Sequence, residues 1–463
     1  MRTHALVPAL VLLLAAHPVT AAPAAAPAPP ASARAYASDA WKPAVPFVED
    51  DFDAALALAR RRNVPLVIEG WAPWCHTCRS MRAFVWTDPA LRVQADRFVW
   101  LSLDMERAVN APARKRLGIS AFPTLYVVDP KDGSVALRWL GSATVPQLLR
   151  LLDDGQLAVK GGARGPALEA LVAADRAYGA ERYDEACRGY RRVLFLGGPQ
   201  WPGYSRAVES YLFAAGQADS VEGTLQVADA AWPQVRGRAA SGLVAGSALD
   251  AATKLPDDDA RRAAALARWE AACREVLGSP ALGLAADDRS GLYFSLEAAR
   301  EAVGDSIGAD ALMREHLAML EAEAARAATP DQRTVFDSHR VTLYLALDRA
   351  ADAIPMLERS RADFPDDYNP SQRLTLAYLA LKRWPEALAA SDRALELAYG
   401  PRRLLVLGTR ADVHLAMGDQ EAAVRTLMEA VRVAQALPEG QHSHTRLQAI
   451  LKRLAGLGAK VEG

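Results

Sequence analysis

Pro65-Leu66-Val67-Ile68-Glu69-Gly70-Trp71-Ala72-Pro73-Trp74-Cys75-His76-Thr77-Cys78 runs from an apolar stretch into a pair of cysteines. Pro65 to Trp71 reads as a buried strand, because a short apolar run bounded by turn-forming residues suits a strand covered on both faces. From Cys75 to Trp86 the apolar residues Met81, Phe84 and Val85 recur at helical intervals. Cys75 therefore falls at a strand-to-helix junction, where free backbone N–H groups and the helix dipole stabilise a thiolate. Cys78 follows about one turn later, close enough to close a small disulfide ring. That arrangement suits reversible thiol chemistry.

The flanking sequence supplies the rest of a small domain. Phe52 to Arg62 places Phe52, Ala55, Leu56 and Ala59 on one helical face, with Asp50 or Asp51 available as a cap. Phe98 to Asp104 predicts a second buried strand, and Ala113 to Leu117 a short helix. Thr124 to Asp129 and Val135 to Leu140 predict a hairpin across Pro130-Lys131-Asp132-Gly133. Val145 to Leu152 predicts a closing helix. Helices alternating with strands and ending in a hairpin imply a mixed-sheet α/β domain.

Trp71-Ala72-Pro73-Trp74-Cys75-His76-Thr77-Cys78 resembles the active-site segment of thioredoxin-fold proteins. Phe122-Pro123-Thr124, after Leu117-Gly118-Ile119, resembles their loop with a cis-proline facing the two cysteines. Phe84 to Leu91 is similar to the thioredoxin-like domains of bacterial thiol:disulfide interchange proteins. Over residues 45–156 the resemblance implies a thioredoxin-like domain. Cys75 is then the exposed nucleophile, Cys78 the buried resolving thiol and Cys75–Cys78 the redox disulfide. Glu69 occupies the position of a buried acid that exchanges a proton with the resolving cysteine, a position where the family more often has Asp. Trp74, His76, Phe122 and Pro123 would line the place where an extended substrate strand pairs. His76-Thr77 replaces the Gly-Pro of thioredoxin itself. Two readings of His76 stay open: an imidazolium that stabilises the Cys75 thiolate and makes the pair more oxidising, or a side chain facing solvent.

No cofactor and no resident metal is expected. Structural zinc takes four ligands, commonly as two separated pairs, and no second cysteine pair accompanies the first. A copper site using Cys75, His76 and Cys78 is the softer-ligand alternative.

Met1 to about Ala21 reads as a signal peptide: Arg2 before an apolar core from Ala5 to Ala16, then small residues at Val19-Thr20-Ala21. Residues 22–44 are rich in Ala and Pro and read as a linker. No later run approaches the ~18 apolar residues of a membrane helix. The expectation is an exported protein, in the bacterial periplasm, with no membrane span in the mature chain. Lys and Arg total 54 against 55 Asp and Glu, a balance that argues against nucleic acid as a partner.

Beyond Gly161-Gly162 the chain becomes rich in Ala, Leu, Arg and Glu. Tyr344, Tyr378 and His414 are spaced by 34 and 36 residues, as are Ala353, Ala387 and Ala423. Polar breaks at Leu347-Asp348-Arg349, Leu381-Lys382-Arg383 and Met417-Gly418-Asp419 separate the helices of each unit. The period resembles tetratricopeptide repeats, and an earlier unit spans about Ala167 to Leu196. Residues 165–460 are therefore expected to form an all-α helical-repeat solenoid, with Pro202, Pro233, Pro256 and Pro280 as breaks. Cys187 and Cys273 read as small core residues.

Together these readings predict a multidomain chain acting as an exported thiol:disulfide oxidoreductase on protein disulfides. Its repeats would recruit protein partners, and a separate redox partner would recycle it. The alternative class is a non-catalytic scaffold carrying a redox-sensitive thioredoxin-like module.

Overall fold

The computed structural model describes residues 36–161 and 165–459. The expected signal peptide and residues 22–35 of the expected linker lie outside the described residues.

The first domain is built on a five-stranded sheet of order β1-β3-β2-β4-β5: β1 (Phe47–Glu49), β2 (Leu66–Trp71), β3 (Val99–Asp104), β4 (Thr124–Val128) and β5 (Val135–Leu140). β1 and β2 run parallel to β3, while β4 runs antiparallel to both β2 and β5. The strand β1 goes beyond the sequence reading; its three residues are too few to show a period. Helix α1 (Phe52–Arg62) starts where the Asp51 carboxylate accepts the N–H of Ala54, and it stops at Asn63 in the left-handed region. The helix after the cysteines is two pieces: α2 (His76–Ser80), then a π-helical turn over Met81–Val85. Helix α3 covers Ala111–Leu117. Helix α4 (Val145–Val159) outlasts the expected Leu152 by two turns. Gly155 lets it lie against β4, since a Cβ there would stand 2.5 Å from Val127. Two apolar layers sandwich the sheet: Trp86, Trp100, Leu125 and Leu148 on one face, Leu56, Ile68, Leu101 and Tyr126 on the other.

From Pro166 onward every regular element among the described residues is helical. Among the described residues, seven helix pairs begin with Pro166–Gly179 and Tyr183–Gly197 and end with Arg402–Ala416 and Gln420–Ala436; the short helix Pro330–Thr334 stands between the fourth and fifth pairs, and His444–Gly456 follows the last. Three of these pairs lie between 204 and 326, where the sequence period is degenerate. The polar breaks have one physical basis: Asp348, Lys382 and Gly418 all take positive φ, 55°, 57° and 79°, ending the first helix of their pair. Ala353, Ala387 and Ala423 are completely buried, as a close helix crossing requires. Pro233 is not a break. It sits in the last turn of the helix Val221–Val235, where the one carbonyl bond it forfeits is near the frayed end.

The repeat array does not project away from the sheet domain but lies against it. At its start, Arg138 of β5 donates to the carbonyl of Asp175, and Gly118 approaches Gly179 so closely that a Cβ would collide with the Gly179 carbonyl oxygen. At its end, Gly440 abuts the Ala111 carbonyl with no room for a Cβ, Lys115 pairs with Glu439 at 2.6 Å, and Gln441 donates to the Met105 carbonyl at 3.0 Å. Both ends of the array therefore meet α3 or its flanks. Among the described residues no helix is long and apolar enough to cross a membrane.

Candidate active site

β2 delivers Trp71 to the C-terminal end of the sheet's central strand, the turn Ala72-Pro73-Trp74 follows, and Cys75 caps α2 with its sulfur accepting the Cys78 N–H at 3.1 Å. Cys75 and Cys78 are joined in a disulfide. Phe122–Pro123 is a cis peptide bond, and Phe122 meets the Trp74 ring edge-on at 5.7 Å. Trp74, Phe122, Cys75 and Cys78 belong to one apolar cluster. The two sequence motifs are thus brought together.

The exposed nucleophile implied by the resemblance is not what the fold presents. Cys75 is 5% exposed and Cys78 wholly buried. The reason lies in the repeats, because Tyr368, Ala394, Ala398, Tyr399 and Val406 complete the same cluster, with Tyr36 from the segment before β1. Polar contacts seal the edge. Asn369 donates to the Pro73 carbonyl at 3.2 Å, the Arg402 guanidinium lies 5.0 Å from the Trp74 ring centre, and Trp74 Nε1 donates to Glu106. The Tyr399 hydroxyl donates to Asp104, whose carboxyl burial pushes up to about 8 against that bond. Below the cysteines, Arg79 forms a buried ion pair with Asp367 at 2.7 Å and donates to Thr334 at 3.0 Å. Four repeat helices, Ala286–Ala302, Asp337–Ala346, Tyr368–Ala380 and Arg402–Ala416, contribute to this cover through residues in their first turn.

Glu69 is 1% exposed in the middle of β2. Burial pushes its carboxyl up to about 7, while Arg82 and the hydrogen bond from Trp86 Nε1 (2.7 Å) pull the other way. Oε1 accepts from Trp86; Oε2 is buried with no hydrogen-bond partner, the place for a carboxyl proton. Arg82 in turn lies between the Trp41 and Trp71 rings, at 4.3 and 4.4 Å from their centres.

His76 keeps a side chain 37% exposed and is at the same time engaged by the repeats. Its Nδ1 lies 2.5 Å from Asp287 Oδ1, and its ring is 3.9 Å from that of His339, both on repeat helices. Burial alone would raise Asp287; the hydrogen bond with His76 and the two imidazoles outweigh it and hold the carboxyl below its usual range. Burial pushes His339 down to about 3. Cys187 and Cys273 are free thiols on two different repeat helices; burial pushes Cys187 up to about 11 and Cys273 higher still. Neither has the lowered thiol pKa of a reactive cysteine.

The residues missed from sequence are those of the cover. Tyr368, Asn369, Tyr399 and Arg402 stand about 290 or more residues from the cysteines, in repeats whose period reports helix packing and not what the helices face.

Comparison with known proteins agrees with the two-part architecture. Residues 48–130 match the family of thioredoxin-like proteins, and residues 368–436 match the tetratricopeptide repeat. The thiol:disulfide interchange protein DsbD of Vibrio vulnificus is 26% identical over 89 residues, 19% of this chain and 15% of that protein. DsbD of Cronobacter sakazakii is 27% identical over 88 residues with the same coverage. The chain thus spans only about a seventh of the relatives it matches. Among solved structures, a thermophilic TPR protein of Thermus thermophilus superposes with a TM-score of 0.31 at 18% identity, over 47% of this chain and 99% of that one. The TPR2AB domain of yeast Sti1, in complex with pHSP90, gives 0.24 at 16% identity, over 63% and 98%. The chain carries a thioredoxin-like domain followed by an all-helical region containing tetratricopeptide repeats.

Proposed function

We propose that the protein is an exported thiol:disulfide oxidoreductase that acts on protein disulfides through Cys75 and Cys78. The observation that carries the reading is the disulfide at the start of α2, clustered with the Phe122–Pro123 loop on a thioredoxin-like sheet. In the reducing direction the Cys75 thiolate attacks a substrate disulfide, forming a mixed disulfide and releasing one substrate thiolate. Cys78 then attacks the Cys75 sulfur; the Cys75–Cys78 bond forms, and the second substrate sulfur leaves as a thiolate. The substrate is reduced by two electrons and the enzyme oxidised; the reverse sequence oxidises a dithiol. Glu69, with a carboxyl near 7, is suited to take up or supply the proton as Cys78 changes state. Export to the periplasm is supported by the signal-like residues 1–21, and recruitment of protein partners by the repeats.

Because the repeats cover Cys75, the chemistry requires the cover to part. The same burial supports a second reading, a non-catalytic scaffold in which closure of the disulfide reports redox state to the repeats. Insulin-disulfide reduction and oxidative refolding by the full chain, wild type against Cys75→Ser, separate the two. Loss of activity in the variant is expected; equal behaviour of both proteins would leave only the scaffold. Cys78→Ser should trap client proteins covalently on Cys75.

A further inference from the structure

Beside the disulfide, His76, Asp287 and His339 each offer one donor atom within 4.8 Å of the other two. We propose that these three side chains bind a divalent transition-metal ion, zinc foremost, which ties the thioredoxin-like domain to the repeat array.

The donor set is the first argument. Two imidazoles and a carboxylate suit a borderline ion such as zinc, which also binds catalytic or labile sites through three protein ligands and a water. At zinc–donor distances of about 2.0–2.1 Å, tetrahedral donors stand ~3.4 Å apart. Side chains already within 4.8 Å reach that geometry by small rotations.

Charge is the second. The Asp287 side chain is 3% exposed, and among the described residues no Lys or Arg forms an ion pair with it; its ion-pair partner is His76. Asp288, next in the chain, is a half-buried carboxyl that accepts a hydrogen bond from the Ser142 hydroxyl at 2.7 Å. A buried carboxylate facing imidazoles, with a second acid adjacent, is short of positive charge, which a dication supplies.

The surrounding hydrogen bonds are the third. Glu297 Oε1 lies 2.8 Å from His316 Nδ1, His316 Nε2 lies 2.6 Å from Ser290 Oγ, and Ser290 Oγ lies 2.6 Å from His339 Nδ1. A carboxylate only accepts, so His316 donates from Nδ1 to Glu297, and in its single-proton form it accepts at Nε2 from the Ser290 hydroxyl. Ser290 in turn accepts from His339 Nδ1–H. The chain ends with the lone pair of His339 on Nε2, the tautomer of a metal ligand whose other ring nitrogen is held by an outer group. Thr77 Oγ1, 3.2 Å from His76 Nδ1, steadies the opposite side. The His76 side chain is 37% exposed and leaves a path for the ion from solvent.

The ligands stand at 76, 287 and 339, a spacing that no local motif reports. His76 belongs to α2, whereas Asp287 and His339 belong to the helices Ala286–Ala302 and Asp337–Ala346. A bound ion would add a bridge between domains at the edge of the disulfide.

The test uses the full chain kept oxidised, so that Cys75 and Cys78 are closed to metal. After chelator treatment the protein is titrated with zinc chloride against a chromophoric competitor. One equivalent should bind, with the same affinity in the Cys75→Ser/Cys78→Ser variant. His339→Ala and Asp287→Asn should each weaken binding at least 100-fold, and Ser290→Ala, which touches only the outer shell, about 10- to 100-fold. His76→Ala removes a partly exposed side chain and keeps the experiment decisive if a buried variant misfolds. No stoichiometric zinc at micromolar concentration, or zinc retained undiminished by His76→Ala, overturns the site. Zinc bound only after reduction overturns it equally, since that ion would belong to the thiols. None of these outcomes depends on thiol–disulfide activity.

Discussion

Replacing Glu69 by Gln isolates the cost of ionising one carboxyl inside the sheet. In the unfolded chain this group titrates near 4.5, and in the fold near 7, because burial outweighs Arg82 and the Trp86 hydrogen bond. Between those values the folded protein holds a proton that the unfolded chain has released, so folding stability falls as pH rises, by about 1.4 kcal/mol per pH unit. The relative stability is fully present below pH 4.5 and is lost by the time pH passes 7, about 3 kcal/mol in total. The glutamine of the variant never ionises. Its amide changes the hydrogen bonding around Trp86 by an amount that does not vary with pH, and the other buried acids, Asp104 and Glu209 among them, titrate in both proteins and cancel. The quantity to measure is therefore the stability of Glu69→Gln minus that of wild type, from urea unfolding at about pH 4.5, 6, 7 and 8.5. It should climb by about 3 kcal/mol across the series and flatten above about pH 7.5. A flat difference would refute the reasoning, for it would mean that Glu69 enters the fold already ionised and paired.

Tyr399→Phe removes the hydroxyl that bonds Asp104 across the cover. With Asp104 largely protonated near pH 7, the bond is worth about 0.5–1.5 kcal/mol, so Cys75 in the reduced protein should be alkylated by a maleimide roughly two- to ten-fold faster; an unchanged rate would show that Tyr399 does not hold the cover shut. Arg79→Met strands Asp367 in the interior and should destabilise by about 3–5 kcal/mol, whereas Arg79→Met/Asp367→Leu should recover much of that loss. Thermal midpoints of the two variants check it, and a single variant within about 1 °C of wild type contradicts it. Gly155→Ala pushes a methyl into Val127 and should lower stability by about 1–3 kcal/mol, read as a shift in urea midpoint at constant slope.

How much of this was legible from the chain depends on the range of the interaction. The helix Phe52–Arg62 and the strand before Trp71 declare themselves by local pattern, and the structure places them within a residue of expectation. The 34- and 36-residue spacings report the helix pairs because each pair repeats one packing problem: a small Ala at the crossing and a left-handed residue at the turn. Pro233 misled because a proline in a last turn costs little. His76 was unreadable for another reason. Its environment is set by Asp287 and His339, and the alternation of charge along those helices looks the same whether a face meets water or another domain.

Helix α3 is gripped from two sides, by Gly179 at the head of the repeats and by Glu439-Gly440-Gln441 at their tail. A stack of helix pairs fixed at one end behaves as an open spring; fixed at both it is a hoop around whatever it encloses. The head is secured by the peptide chain that leaves α4, whereas the extreme tail meets α3 and its flank through a surface ion pair, one amide hydrogen bond and a glycine contact. That closure is a clasp. For the hoop to widen and let a protein reach Cys75, this clasp at the far end of the chain, more than three hundred residues from the cysteine, parts together with the contacts of Asn369, Tyr399 and Arg402 over the disulfide.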